Sequence, residues 1–304
     1  MYEPGYIKLY RSGGLAERIE NAYEMLQDCT LCPRRCRVNR RSGERGFCRT
    51  GKLPVVSSWG PHFGEESPLV GIGGSGTIFF TFCNLRCIFC QNYDISHLGR
   101  GREITTERLG QIMVELQGMG CHNINFVTPT HVVPQILAAL PPAIEGGLCL
   151  PLVYNSGGYD SVETLRLLDG VFDIYMPDLK YSDPAVSARL SRSEDYPQVA
   201  RSALREMHRQ VGDLILDERG IALRGLLVRH LVLPEDLAGT RQAMRFIARE
   251  LSQNTYVNVM EQYRPCYKAF DHPPLDRPLY PSEFRGAVNI AVEEGLTRLD
   301  GFAS

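Results

Sequence analysis

Apolar and polar positions along this chain switch repeatedly between the period of a strand and the period of a helix. The short apolar runs GTIFFTF (76–82) and NINFV (123–127) have the length and composition of strands. The segment TTERLGQIMVELQGMG (105–120) has helical spacing, with threonines that can cap it and glycines that can end it. The alternation continues to a last helix at 281–296 and gives six core strands, which predicts right-handed βαβ units and a parallel sheet.

The alternation begins only after residue 70, and this divides the chain into two parts. Residues 1–70 contain an amphipathic helix at 14–28, a loop rich in cysteine and arginine, and a glycine- and proline-rich stretch of irregular strands and loops. We predict an N-terminal helix with a metal-binding segment in 1–70 and the main α/β domain in 71–304. Six units fit either an open doubly wound sheet or a partial barrel, and periodicity alone does not separate the two.

Composition narrows the classes of partner. The 304 residues are 43% hydrophobic and carry a formal net charge of -2, so the whole-chain charge does not indicate binding to nucleic acid or to an anionic membrane. We find no basic and apolar leader at the N-terminus and no apolar run of membrane-spanning length. We therefore expect a cytoplasmic protein with neither nucleic acid nor membrane as a partner.

Seven of the ten cysteines fall into two tight groups, and thiol groups of this kind in a reducing compartment usually bind metal. The second group, Cys83, Cys87 and Cys90, follows the first predicted parallel strand, where α/β folds place their chemistry. Three thiolates can hold three irons of a 4Fe-4S cube and leave the fourth iron open to another ligand. The alternative is a zinc site that His97 or a distant cysteine completes.

The first group has four thiols and predicts a closed site. Cys29, Cys32, Cys36 and Cys48 could bind zinc as a structural staple or a second 4Fe-4S cluster as an electron relay. The spacing does not decide between the two. Seven arginines lie between residues 34 and 49; they are more simply a solvated face than a docking site for an acidic donor.

The pattern C-x3-C-x2-C, with the aromatic Phe89 before the last cysteine, resembles the signature of the radical S-adenosylmethionine (SAM) superfamily. The resemblance implies a six-stranded partial TIM barrel, a 4Fe-4S cluster on Cys83, Cys87 and Cys90, and SAM on the open iron. It also implies an activity: one electron from the cluster cleaves SAM to a 5′-deoxyadenosyl radical, which abstracts hydrogen from a substrate.

Further stretches, among them GPHFGEE, PLVYNSGGYDS and DIYMPDLKY, resemble the X-type relatives of pyruvate formate-lyase activating enzymes. Those enzymes carry a G-G-E segment that holds the SAM amino group, whereas this chain has VTPTH at 127–131. Position by position, the resemblance implies a cofactor pocket formed by Phe89, Thr128, Asn155, Ser156, Asp178, Lys180 and Arg229.

The leading hypothesis is therefore a radical SAM enzyme whose substrate the sequence does not identify. One alternative is an activase that installs a glycyl radical on a protein partner. The other is a non-catalytic iron–sulfur electron carrier, although a carrier would favour four ligands for each cluster. The enzyme hypotheses imply a low-potential electron donor such as flavodoxin or ferredoxin.

Overall fold

The computed structural model describes residues 2–301, and its helices and strands follow the predicted alternation. The helices are α1 (Gly5–Arg11), α2 (Gly14–Glu24), α3 (Ser67–Val70), α4 (Tyr93–Ser96), α5 (Thr106–Gly118), α6 (Val133–Glu145), α7 (Val162–Leu167), α8 (Pro184–Ser191), α9 (Tyr196–Val211), α10 (Thr240–Phe246) and α11 (Pro281–Glu293). The strands are β1 (Val55–His62), β2 (Ser75–Phe80), β3 (Arg102–Glu103), β4 (Ile124–Val127), β5 (Leu152–Ser156), β6 (Ile174–Pro177), β7 (Ile215–Leu216), β8 (Ala222–Leu231) and β9 (Tyr256–Met260).

The strands form one mixed sheet in the order β3-β1-β2-β4-β5-β6-β8-β7, with β9 beside β8. The six strands β2, β4, β5, β6, β8 and β9 pair in parallel. The three others pair antiparallel to their neighbours. The predicted α/β class and the parallel pairing of the core strands are confirmed, and the sheet is larger and more mixed than the sequence suggested.

The pairing register brings the carboxyl ends of neighbouring parallel strands to the same edge. Val127 of β4 pairs with Asn155 of β5, and a bridge joins Asp178, just after β6, to Arg229 of β8. The loop that begins at Cys83 leaves β2 at this edge. Polar residues that are far apart in sequence therefore meet because their strands end at the same level.

The largest difference from the predicted elements is β1, which the sequence analysis placed in an irregular stretch. Its segment contains Gly60 and Pro61, which usually interrupt strands. However, β3 pairs only with Val55 and Val56, so the rest of β1 is an edge of the sheet. Proline is tolerated on an edge strand because its missing N–H would face solvent.

The N-terminal segment is fixed to the main domain by contacts with residues far along the chain. The Tyr2 hydroxyl donates to Asp173 at 2.6 Å, and the Thr164 hydroxyl donates to the carbonyl of Leu31 at 2.8 Å. Next to the four-cysteine group, Arg34 donates to the carbonyl of Asn84. The segment around Cys29–Cys48 therefore packs directly against the loop that carries the second cysteine group.

Candidate active site

One cavity lies at the carboxyl edge of the parallel strands and gathers most of the predicted site. Nine residues named from the sequence line it: Cys83, Cys87, Cys90, Thr128, Asn155, Ser156, Asp178, Lys180 and Arg229. The remaining lining residues are Phe80, Leu85, Asn92, Ile95, Ser96, Val127 and Gly157. A sheet edge of this kind is where α/β proteins bind their ligands.

The three thiols of the loop face this cavity, and hydroxyl groups lie beside two of them. Ser191 donates to the Cys87 sulfur at 3.0 Å, and the Ser96 hydroxyl lies 3.1 Å from the Cys90 sulfur. Hydrogen bonds to sulfur stabilise the thiolate and tune the potential of a bound cluster. The surrounding side chains are therefore arranged for charged sulfur.

Burial makes these thiols costly to ionise when nothing positive is bound to them. It raises the pKa of Cys83 to about 12, with the charge of Cys87 adding to the effect. It likewise raises the pKa of Cys90 to about 11, with a further contribution from Cys87. Metal ligation deprotonates a thiol and compensates its charge, so iron would release protons as it binds here.

The cavity offers three cysteine thiols as metal ligands. None of its described lining residues is a histidine or a fourth cysteine. His97, the candidate fourth zinc ligand, is on the other side of the loop. There its Nε2 lies 3.1 Å from the carbonyl oxygen of Cys87, and its ring centroid is 4.6 Å from that of Tyr267. The residues present fit a cluster with one open corner, and His97 does not complete the set.

A network of charged groups forms the wall opposite the cysteines. Arg229 donates to Asp178 through Nε and to Asn155 through Nη2, each at 2.8 Å. Lys180 pairs with the other oxygen of Asp178. Burial alone would raise the pKa of Asp178, but Arg229 and Lys180 outweigh it and hold that pKa below its usual value. Asp178 is therefore an anion held in place by two cations.

Two further carboxylates, which the sequence did not point to, lie near Arg229 but do not line the cavity. Glu65 and Glu66 come from the GPHFGEE stretch after β1, and their oxygens lie 4.0 and 3.9 Å from the Arg229 guanidinium. Asn258 donates to one oxygen of Glu66, whereas the other, Oε2, is buried without a hydrogen-bond partner. Burial raises the pKa of Glu66, and Arg229 offsets only part of that rise. Arg229 therefore lies among three carboxylates, and Lys180 pairs with one of them, Asp178.

A radical SAM superfamily domain spans residues 77–215. Over 288 residues the chain is 36% identical to an uncharacterized protein of Methanocaldococcus jannaschii, covering 92% of this chain and 78% of that protein. The chain belongs to the radical SAM superfamily. A second uncharacterized protein of the same organism is 25% identical over 307 residues, which cover 90% of this chain and 81% of that protein.

Among solved structures, the chain resembles a crystal structure of HydG, a maturase of the FeFe-hydrogenase. The two share 13% identity with a TM-score of 0.49, over 72% of this chain and 48% of HydG. The chain therefore spans about half the length of that maturase.

Phe89 is the one predicted cofactor-pocket residue of this radical SAM protein whose side chain is outside the cavity. Its ring is 5% exposed and packs edge-on against Tyr181 and Tyr263, with ring centroids 6.4 and 6.0 Å apart. The side chain anchors the cysteine loop to the core. The place of Phe89 in the cofactor pocket, which the resemblance implies, stays a prediction.

Thr128 and Thr130, which replace the G-G-E segment of related radical SAM enzymes, have different environments. Thr128 lines the cavity and has a positive φ of 62°, a conformation that costs a β-branched residue energy and is often found at functional sites. The Thr130 hydroxyl instead donates to the buried Asp160 at 2.7 Å. Only Thr128 is therefore placed to contact a ligand here.

Gly158 holds the end of β5 close to the charged wall. Its φ is +75°, and a Cβ added there would lie 2.1 Å from the carbonyl oxygen of Asp178. We predict that Gly158→Ala lowers the free energy of unfolding by about 3 kcal/mol or more, because the change combines backbone strain with overpacking. Anaerobic urea denaturation measures this, and SAM binding should weaken as Asp178 moves.

The matched control is Gly118→Ala at the end of α5. A Cβ added at Gly118 meets no other atom within 4 Å, and alanine is the better helix former by up to about 1 kcal/mol. The control should therefore leave the protein as stable as before or slightly more stable. If both variants lost the same amount of unfolding free energy, the close approach of Gly158 to the Asp178 carbonyl would not be the cause of the destabilisation.

The four cysteines of the N-terminal segment line a second, small cavity together with His131. His131 donates through Nε2 to the carbonyl of Thr81 at 2.9 Å, and its Nδ1 has no partner. Burial lowers the pKa of His131 to about 4, so the ring is neutral. Arg40 is also buried and donates to the carbonyls of Gly51 and His131.

Two kinds of feature are absent from residues 2–301. No three histidine, cysteine or acidic side chains meet closely enough to bind a single metal ion. Whether the four-cysteine group binds zinc or a 4Fe-4S cluster stays a prediction. No helix in this part of the chain combines the length and apolarity needed to cross a bilayer.

Proposed function

We propose that this protein is an enzyme that cleaves SAM reductively at a 4Fe-4S cluster held by Cys83, Cys87 and Cys90. The observation that carries the proposal is a cavity with three thiols, no fourth protein ligand among its described residues, and a wall of polar strand ends. When bound, the cluster supplies one electron to SAM, which yields methionine and a 5′-deoxyadenosyl radical able to abstract hydrogen from a substrate. The substrate itself is not identified by the cavity.

The charges of the cavity suit SAM. SAM carries a sulfonium and an ammonium group against a single carboxylate, and it is therefore a net cation. Asp178 lines the cavity beside Lys180 and Arg229, and Glu65 and Glu66 lie within 4.0 Å of Arg229 outside the lining, so that three carboxylates accompany two cations. The Thr128 backbone lines the cavity and can accept hydrogen bonds from an ammonium group or from ribose hydroxyls. Because these groups hold one another in place, little reorganisation is needed when the ligand enters.

We further propose that the protein is an X-type relative of pyruvate formate-lyase activating enzymes, and that its six parallel strands form the partial barrel of that group. Residues 1–70 form a cysteine-rich segment with a second metal site. The electron comes from a low-potential donor such as flavodoxin or ferredoxin.

The test is anaerobic reconstitution with iron and sulfide, reduction with dithionite, and addition of SAM. SAM should change the electron paramagnetic resonance signal of the reduced cluster, and slow release of 5′-deoxyadenosine should follow even without substrate. An electron carrier would show an unchanged signal, and that result would overturn the proposal. An activase would in addition transfer the radical to a protein partner.

A further inference from the structure

A third cavity, of about 560 Å³, lies on the face of the cysteine loop opposite to the cavity that the thiols of Cys83, Cys87 and Cys90 line. Loop residues Arg86 and Ile88 point into it, whereas Cys83, Leu85 and Cys87 line the other cavity. Its other walls come from the four-cysteine segment, the end of α8 and residues 267–272. Five of its lining residues are cations: Arg49, Arg86, Arg189, Arg192 and Lys268.

These five cations have no acidic partners in the described part of the chain. No lining residue is Asp or Glu, and none of the twenty ion pairs found between residues 2 and 301 involves any of the five. Arg49 and Arg86 donate only to carbonyl oxygens, those of His97 and Phe47. Like charges gathered without counter-charge repel one another, so an anion in the cavity would relieve that repulsion.

The backbone around this cavity is held in an unfavourable conformation at three positions. Arg49, Arg192 and Tyr267 have φ values of 58°, 54° and 56°, where residues other than glycine and asparagine are uncommon. Such backbone strain is energetically unfavourable and is concentrated at ligand sites. Two of the five cations are therefore held in place at an energetic cost.

We propose that this cavity binds a small ligand carrying several phosphate charges, such as a diphosphate or triphosphate. Guanidinium groups match phosphate oxygens in bidentate pairs, and four of the five cations are arginines. A single carboxylate would leave most of the positive charge uncompensated. SAM is excluded as the occupant because it is itself a net cation. The cavity volume falls within the range of small-molecule sites, roughly 300–1,000 Å³.

An anion bound here would act directly on the backbone of the cysteine loop. The Ile88 amide donates to the carbonyl of Leu190, next to Arg189, and the Lys268 amide donates to the carbonyl of Ile88, both at 2.9 Å. His97 bonds the carbonyl of Cys87 from the same side. A ligand that joins the cations of these elements would therefore clamp the loop between Cys87 and Cys90.

The test is calorimetric titration of the anaerobic, cluster-loaded protein with inorganic pyrophosphate, while the visible absorbance shows that the cluster stays intact. Pyrophosphate should bind more tightly than orthophosphate, weaken as salt rises, and bind equally well with SAM present. The double variant Arg189→Ala with Lys268→Ala should weaken binding by about tenfold or more, because it removes two of the five cations that would pair with the phosphate oxygens. The control is Lys8→Ala with Arg285→Ala, which removes two exposed cations outside the cavity and should change nothing.

Each other outcome would overturn the assignment. Absence of pyrophosphate binding to the wild-type protein would do so, as would equal weakening in both double variants. Competition by SAM would show that the anion enters the other cavity. A different pair of results would identify a protein-docking surface instead. In that case the wild-type protein would bind an acidic electron donor but not pyrophosphate, and the Arg189 and Lys268 double variant would no longer bind the donor. None of these readouts requires SAM cleavage, so the result is independent of the proposed reaction.

Discussion

Cys87→Ala is expected to abolish SAM cleavage and to reduce the iron content of the reconstituted protein by about four atoms per chain. Cys87 is the middle of the three proposed cluster ligands, and its sulfur accepts a hydrogen bond from Ser191. With two thiolates left, the cavity has too few protein ligands to hold a cluster whose fourth iron is already open. Iron and sulfide analysis, together with 5′-deoxyadenosine formation, measures the loss.

The control for this prediction is Cys149→Ala. Cys149 is exposed and does not line either cysteine cavity, so its removal should leave iron content and SAM cleavage unchanged. Circular dichroism should show that both variants keep their helices and strands. Full iron content and normal cleavage in Cys87→Ala would be incompatible with the ligand assignment.

Arg229→Leu is expected to lower the free energy of unfolding by about 3–5 kcal/mol, the cost of breaking a buried charge pair. The Arg229 side chain is 18% exposed and lies near Asp178, Glu65 and Glu66. Its loss would leave three carboxylates facing one another with only Lys180 beside them. SAM binding should also weaken, because Asn155 and Asp178 lose the group that positions them.

Arg205→Leu is the matched control, because Arg205 pairs with Glu250 on the surface, where both side chains are more than 40% exposed. An exposed pair contributes about 0–1 kcal/mol, so little change is expected. Arg229→Lys keeps the positive charge but removes the planar guanidinium. Relative to Arg229→Leu, it should recover more of the stability than of the SAM affinity, because an ammonium group cannot bridge Asp178 and Asn155 as the guanidinium does. Anaerobic denaturation and equilibrium binding test both, and an Arg229→Leu protein as stable as the control would refute the argument.

The parts of the fold that follow local patterns could be predicted from the sequence. The parallel strands were identifiable because each is a short apolar run between turns. Helix α1 was not predicted, because seven residues carry too little periodic signal, and its burial depends on packing. Strand β1 was obscured by Gly60 and Pro61, whose meaning depends on whether the strand is at an edge, a property of the whole sheet.

In the candidate site, too, some residues could be predicted from local sequence patterns and others could not. The residues at strand ends were found because parallel strands share an edge, and the cysteines because their spacing is distinctive. Glu65 and Glu66 were missed because Arg229, which makes them part of the site, lies far away in the sequence. The pair of adjacent acids in GPHFGEE was the available signal. The orientation of Phe89 could not be predicted either, since alternate residues of one loop point to opposite faces.

The docking of the N-terminal segment affects how the protein matures during translation. Cys29 to Cys48 leave the ribosome early, yet the residues that enclose this segment include Asn84, Thr164 and Ser191. At the usual pace of synthesis, about 5–20 residues per second, the four thiols wait on the order of ten seconds before these partners exist. During that interval they are open to oxidants and to whichever metal is abundant. If the four thiols bind a metal, as we propose, the surroundings of the nascent chain act on that choice before the finished fold does.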